Sequence, residues 1–478
     1  MICRPRITTA NLLSQPGIRA VLILSTLVLL YATYGYLRFY RDPLSVFFSE
    51  EHGFDRTYSK TRQAEADLFL DAAKADPASS RARLGKARSQ PEMCAVFITV
   101  GRDVEGRQYI DSAVGSFLAN MSRAEREAIH LKLFFADVPN PETQHKSYAS
   151  LVDADVADDI LTYPATLPGN VKESKMKTLM AWASDRQNKH ALERKTVYDY
   201  AYALSQCVST TNAPYIAIFE GDILLADGWA ARTLKNLHTI DTMMKDPSRH
   251  EPQRGQVEPG GPNSWFYLRM FNQERSTGWS GGYGFRSNNV HIISLAVGVP
   301  LFLILLLARR FVLPRHVARH LDGWVLFLVC AIAVPLFIWL FYASGKASLL
   351  GAPRGVREEF FGCCNQALVY NRAHAQDLSD FLMAATTHDR PGRSDMLPKD
   401  FAWNHGLARI SAYPMLAQHA GRVSAIDTSN DEAKRVWSMA FESFNPSQLA
   451  RDHIRDVREL YGDAAALDME TRDQSMYM

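Results

Sequence analysis

Net charge is nearly absent from this chain of 478 residues, in which 53 lysines and arginines stand against 51 aspartates and glutamates for a formal +2. What excess exists sits at two places. Arg4, Arg6 and Arg19 have no acid among them, and Arg309, Arg310, Arg315 and Arg319 face only Asp322, which leaves the remainder net negative. A nucleic-acid binder concentrates positive charge on its soluble domain, so no nucleic-acid partner is expected. Internal repeats and low-complexity tracts are missing too. An aromatic content of 11% excludes disorder on a large scale. Cysteine is scarce, six in all.

Long apolar runs are few but informative. They are 18–37 (IRAVLILSTLVLLYATYGYL), 290–308 (VHIISLAVGVPLFLILLLA) and 323–343 (GWVLFLVCAIAVPLFIWLFYA). About 20 such residues cross a hydrocarbon core of roughly 30 Å. The first run exceeds the apolar part of a cleaved signal peptide and lacks a convincing small-residue cleavage site, so it reads as a signal anchor. Pro300 and Pro335 are tolerated in membrane helices when the freed backbone groups find other partners. The alternative for the later two runs, a helical hairpin buried in a soluble core, would place two nearly uncharged runs inside a globule. None of the spans carries an acid, which disfavours an ion pathway.

Cytoplasmic segments collect Lys and Arg. The tail 1–17 and the loop 309–322 therefore share the cytoplasmic side, and 38–289 and 344–478 share the other, the lumen of the secretory pathway. Asn120-Met121-Ser122 is a glycosylation sequon there. Cys3 is then cytoplasmic and Cys330 lies in a span, leaving Cys94, Cys207, Cys363 and Cys364 in an oxidising compartment. Four cysteines allow about three pairings. A bond between neighbours in sequence is sterically awkward, so Cys363 and Cys364 are each expected to pair with Cys94 or Cys207.

Beyond the anchor, residues 38–90 are polar and helix-like and read as a stem. CAVFITVGR (94–102) has the look of a buried strand. A helix is expected from Arg107 to Asn120, strands at LKLFFADV (131–138) and DILTYP (159–164), and a long helical region over 172–208. YIAIFEGDILLADGW (215–229) is a strand running into acids, FYLRMF (266–271) another strand, and EEFFGCCNQALVYNR (358–372) resumes the pattern after the spans. Strands alternating with helices predict an open, largely parallel, Rossmann-type α/β sheet. Its first part would be 91–289 and its second 344–426, split by an inserted two-helix transmembrane hairpin, with a helical tail over 427–478. Two separate lumenal modules are the alternative.

In such sheets ligands bind at the carboxyl ends of strands, where Glu220-Gly221-Asp222 would stand. Two carboxylates there can hold a hard divalent cation, with water and phosphate oxygens completing its shell. That cation can neutralise a leaving diphosphate. A solvated acidic loop is the plain alternative.

The motifs AVFITVGR, YIAIFEGDILLADGW, GCCNQALVY and PKDFAWNHGLARISAYPMLAQHAGRVSA, with the inserted hairpin, resemble over about 94–425 the Golgi glycosyltransferases of GT-A type that add N-acetylgalactosamine to the GPI-anchor glycan. The resemblance implies a UDP-sugar donor, Mn²⁺ or another divalent cation, a GPI-anchored protein or GPI glycolipid as acceptor, inversion, and a multi-pass Golgi location with a lumenal catalytic domain. It also implies roles. Glu220 and Asp222 would bind metal and diphosphate, Thr99 and Arg102 would lie near the nucleotide, and His419 would add a late metal ligand. Asp400 would be the catalytic base, although Asp also suits a helix N-cap before Phe401-Ala402-Trp403. For Arg102 the alternative is a surface salt bridge, and for His419 a core or surface histidine. His405 is a weaker contender for its role. Trp279, Gly281, Gly282 and Tyr283 could form an acceptor-side loop or only shape the membrane junction. The sequence departs from the family pattern at Gly221, where relatives can carry another acid. A transferase acting on N-glycans or protein acceptors, and a non-enzymatic membrane scaffold, are the competing readings.

Overall fold

The computed structural model describes residues 15–102, 108–163, 169–185, 188–245, 264–276, 278–279, 288–351, 353–359, 364–388, 391–421 and 435–476, the side chains of 169–173 and 472–476 excepted. The chain divides into two compact units, one made of 1–55 and 277–352, the other of 56–276 and 353–478.

The first unit holds three helices long and apolar enough to cross a membrane: Pro16–Arg38, Val290–Val312 and Gly323–Ala343. The first and third run parallel. A Cβ added to Gly17 would lie 3.8 Å from Trp324 at the start of both, and at their other ends Tyr31 shares a 2.7 Å hydrogen bond with Ser344. Gly298 lets the second and third approach closely, since a Cβ there would stand 2.7 Å from the Cys330 carbonyl oxygen. A π-helical turn at Leu328–Ala333 leads into Val334-Pro335, the kind of local adjustment that accommodates a proline without a backbone donor. Leu29, Leu30, Leu295 and Ile304 are exposed, as lipid-facing side chains are. Trp279 belongs to this unit. Its indole donates to the Tyr342 carbonyl at 2.9 Å and its ring packs on Phe341, which makes it part of the junction at the end of the third span. Gly281, Gly282 and Tyr283 lie outside the described residues.

The second unit is α/β, built on a mixed eight-stranded sheet. Its elements are α1 (Tyr58–Ala75), β1 (Met93–Thr99), α2 (Tyr109–Leu118), β2 (Ile129–Phe135), β3 (Asp159–Leu161), α3 (Lys189–Thr210), β4 (Tyr215–Glu220), β5 (Ile223–Leu225) and α4 (Trp229–Met244). They continue with β6 (Trp265–Arg269), β7 (Gly355–Glu358), β8 (Ala367–Asn371), α5 (Arg372–Ala385), α6 (Leu397–Asn404), β9 (Ala408–Tyr413), β10 (Ala417–His419) and α7 (Pro446–Tyr461). The sheet order is β3-β2-β1-β4-β8-β6-β9-β7, with β5 and β10 forming a separate pair. Only the half β3-β2-β1-β4 is parallel throughout. β6 also pairs parallel with β9, whereas β8 runs against both β4 and β6, and β7 against β9, so the sheet is mixed, with the parallel arrangement expected from the sequence in four of its seven strand pairs.

Successive side chains of a strand point to opposite faces, and both faces here are covered. On β1, Ala95 and Phe97 join a core with Leu70, Ile110, Phe117 and Leu234 of α1, α2 and α4. Cys94 and Val96 join the opposite core with Val197, Leu204, Leu378 and Phe401 of α3, α5 and α6. That double burial is why the strand reads as a continuous apolar run. Residues 58–75, read from the sequence within a stem, form a helix packed into the sheet-bearing unit. A Cβ on Gly115 of α2 would collide with the Ala66 carbonyl oxygen at 2.2 Å, and Lys74 pairs with Asp111 at 2.9 Å.

The disulfide expectation is overturned. Cys94 on β1 bonds Cys207 on the overlying α3, with Cα atoms 5.8 Å apart, because the pleat aims Cys94 at that helix. Cys364 is also disulfide-bonded, and Cys330 is free. The Cys94–Cys207 bond closes a sequence separation of 113 residues. Replacing both cysteines by alanine should lower the stability of this unit by about 2–5 kcal/mol, read as the midpoint shift in denaturant. An unchanged midpoint would show the bond to be dispensable.

Candidate active site

β1 and β4 lie side by side and end together, and their ends are stitched: Gly221 N–H donates to the Ile98 carbonyl at 2.9 Å, and Glu220 N–H to the Gln366 carbonyl at 2.9 Å. The chain must turn here with its backbone against β1. A Cβ at Gly221 would stand 3.0 Å from both Cβ and Oγ1 of Thr99, so a further acid at this position would force Thr99 aside. The glycine in the acidic triplet thus gives β4 room against Thr99.

Asp222 follows, with only 4% of its surface exposed. One of its oxygens, Oδ2, faces two cationic partners, Arg102 Nη1 at 2.8 Å and His419 Nε2 at 3.4 Å. The β5–β10 pairing places Ile223 opposite His419, and Ala420 N–H donates to the Asp222 carbonyl at 2.7 Å. Gly421 completes the approach, since a Cβ there would sit 2.5 Å from Asp222 Oδ2. Arg102 leans its guanidinium over the Tyr109 ring. It is no surface salt bridge.

Five of the six expected site residues therefore converge: Thr99, Arg102, Glu220, Asp222 and His419. Their charges are interdependent. Burial opposes ionisation of Asp222, but the charges of Arg102 and then His419 outweigh it and hold the carboxyl well below the usual carboxylate range. Burial first, and Asp222 second, push Glu220 well above that range. Burial disfavours a charged His419, yet Asp222 beside it raises the imidazole above its ordinary value.

Two buried atoms in this cluster have no hydrogen-bond partner, Asp222 Oδ1 and His419 Nδ1. Buried polar atoms are nearly always satisfied, so each is an available ligand position. Among the described residues no three His, Cys, Asp or Glu side chains are grouped as a ready-made metal cage. A divalent cation held through one or two carboxylates plus substrate phosphates needs no such cage, and Glu220 with Asp222 fits that arrangement.

Neither a known family model nor a curated protein matches this chain. The assignment of chemistry accordingly rests on the residues themselves.

Asp400 is joined to the cluster by no hydrogen bond or ion pair among the described residues. It lies exposed within the first turn of α6, where its N–H donates to the Met396 carbonyl at 3.1 Å. The N-cap is Met396, which makes no side-chain cap bond, so the cap expected for Asp400 is overturned. Pro398 in the first turn moves the helix start upstream of the position read from the sequence. His405 is exposed and stacks on Phe401.

Other residues emerge that the sequence reading passed over. The charge of Asp395 acts on Glu220. His145 Nε2 lies 3.0 Å from Thr99 Oγ1, and Asp137 accepts from Gly101 N–H at 2.8 Å. The Arg269–Glu359 ion pair is buried at 2.6 Å, with Arg269 also donating to the Cys364 carbonyl. It anchors the segment that carries Asn365 and Gln366. The signal for that segment was its place just before the strand ALVY, but its relevance depends on β8 running backwards.

Proposed function

We propose that this protein is a membrane-bound, metal-dependent glycosyltransferase moving a sugar, N-acetylgalactosamine first among candidates, from a UDP-sugar to a mannose of the GPI-anchor glycan with inversion. The observation that carries the reading is the acid pair at the joined ends of β1 and β4, half-buried Glu220 and buried Asp222, beside Arg102 and His419 with Asp222 Oδ1 unpartnered. Such a cluster suits a polyanion and its counter-cation. Glu220 and Asp222 would hold Mn²⁺ together with substrate phosphates, its charge neutralising the leaving diphosphate when bound, and His419, expected from the sequence as a late ligand, stands beside Asp222. Arg102 adds a fixed positive charge at the same place, and Thr99 lines the approach.

In a single displacement the acceptor hydroxyl bonds to the anomeric carbon as the bond to the diphosphate breaks, and a carboxylate takes the hydroxyl proton. Asp400 is the base that the resemblance implies, and Asp395 is a second candidate. Ser394 accepts a hydrogen bond from Asn365 Nδ2, whose neighbour Gln366 accepts from Glu220 N–H, and the Asp395 charge acts on Glu220. Asp395 is 18% exposed and ion-paired to Arg393 at 2.7 Å. With Asp395 as the base, Asp395→Asn should lower kcat by about 10²–10⁴-fold, against a few-fold at most for Asp400→Asn. The reverse order would return the base to Asp400.

Three apolar helices within the same chain suit an acceptor tethered to a bilayer, because anchoring both partners raises their effective concentration. The arginine-rich tail and loop support an orientation with the sheet-bearing unit on the lumenal side, and a Golgi location is what the family resemblance implies. Binding of UDP and UDP-sugars to the full chain in detergent, with Mn²⁺ and with a chelator, tests the reading. Divalent-dependent binding is the expected result. Its absence in folded protein would favour a scaffold.

A further inference from the structure

Arg102, Asp222 and His419 are the charged groups gathered at the strand end beside Glu220. Among the described residues, three buried neutral amides at the ends of β6 and β8 also carry an oxygen without a partner. Asn272 Oδ1, Asn365 Oδ1 and Gln366 Oε1 have no hydrogen-bond partner, although the residues are only 1%, 2% and 8% exposed. Asn365 Nδ2 donates to the Ser394 carbonyl, which leaves its Oδ1 as the unpartnered atom.

Strand register brings these amides to one place. β4 and β8 pair Phe219 with Ala367, and one step beyond, Glu220 N–H donates to the Gln366 carbonyl at 2.9 Å. β6 and β8 pair Arg269 with Leu368, and Met270 N–H donates to the Ala367 carbonyl at 3.0 Å. Asn272 therefore leaves β6 at the end of the sheet where Asn365 and Gln366 enter β8. The amide segment is held from behind by Arg269, which donates to the Cys364 carbonyl and is itself paired with Glu359.

We propose that Asn272, Asn365 and Gln366 form a neutral wall that recognises the hydroxyls of an uncharged pyranose seated beside the acid pair. Unpartnered buried carbonyl oxygens accept hydrogen bonds from hydroxyl groups and would repel phosphate or carboxylate. A site built to bond a hydroxyl discriminates strongly against an analogue without it, because its own polar atoms are then left unpaired. The inference rests on the transferase reading and deepens it: the charged half takes the diphosphate and the amide half takes the sugar.

The test compares wild type with Asn272→Ala and, separately, Gln366→Ala, using the full chain in detergent with Mn²⁺. Equilibrium binding of UDP, UDP-N-acetylgalactosamine, UDP-galactose and UDP-glucose is measured, with KM for a GPI-glycan acceptor. Wild type should hold its preferred UDP-sugar more tightly than UDP. Each variant should lose about tenfold of UDP-sugar affinity with UDP affinity unchanged, which also shows that the variant is folded. If UDP-sugar binding is unchanged and acceptor KM rises about tenfold instead, the wall serves the acceptor sugar. If neither quantity moves in either variant, the wall does not bind sugar, while intact UDP binding keeps the transferase reading. If wild type binds no UDP with any divalent cation, the transferase reading falls and the inference with it.

Discussion

Asp222→Asn should lower sugar transfer by about a thousandfold while leaving the protein folded. The substitution keeps the shape of the side chain and removes its charge. One oxygen of Asp222 binds Arg102 at 2.8 Å and faces His419 at 3.4 Å, and the other is buried without a partner. Losing the carboxylate removes the ligand position and the counter-charge for two cations together. Arg102 is 21% exposed, so water can screen part of its stranded charge, and the stability loss should stay below the roughly 3–5 kcal/mol typical when one partner of a fully buried pair is removed. Transfer rates, UDP affinity with Mn²⁺ and thermal midpoints separate these effects. Activity within about tenfold of wild type would remove Asp222 from the chemistry.

The largest expected stability effect lies elsewhere, at His453 on α7. Its imidazole is clasped between two buried carboxylates, Nδ1 bonding Asp227 at 3.0 Å and Nε2 bonding Glu125 at 3.0 Å. Glu125 also takes Ser122 N–H and Ala231 N–H. Burial disfavours the imidazolium, but Glu125 and Asp227 overcome it and raise His453 to about 10. Both carboxyls are lowered by His453 against the effect of burial. His453→Ala leaves two buried carboxylates without their cation and should destabilise this unit by about 3–5 kcal/mol.

The pH dependence follows from the directions. A raised histidine contributes fully below its ordinary 6.5 and progressively less as pH rises toward about 10. Lowered carboxyls contribute fully above their ordinary 4.5 and 3.8, and that contribution is lost as pH falls. The cluster should therefore stabilise most between about pH 4.5 and 6.5. Denaturation of wild type and His453→Ala across pH should give a difference that is greatest in that window and shrinks above it. A pH-independent difference would mean that His453 acts only by packing.

Legibility in the sequence followed burial. The runs at 94–99, 131–135 and 215–220 read as strands because both their faces are covered. Glu220 and Asp222 could be picked out because acids directly after such a run stand at a strand end. Directions and partners were not readable. ALVYN looks the same whether it runs with β4 or against it, yet its reversal is what brings Asn365 and Gln366 beside Glu220. α1 passed for a stem because its buried face, Arg62, Ala66, Leu70 and Ala73, includes a charge. Arg62 is fully buried and donates to the carbonyls of Leu225, Ser116 and Ala119, so its polarity serves the core. Cys94 and Cys207 are distant in sequence and meet only because α3 crosses β1. Arg102 and His419 depend on the site itself, since each is defined by its contact with Asp222.

The most direct measurement is sugar incorporation into a GPI glycan by the full-length protein in detergent. The panel is UDP-N-acetylgalactosamine, UDP-galactose and UDP-glucose, each with Mn²⁺ and with a chelator. The account predicts incorporation from one donor, with UDP released in equal amount, the new linkage inverted relative to the donor, and no product once the cation is removed. Folded wild-type protein that neither transfers nor hydrolyses any of these donors would contradict it.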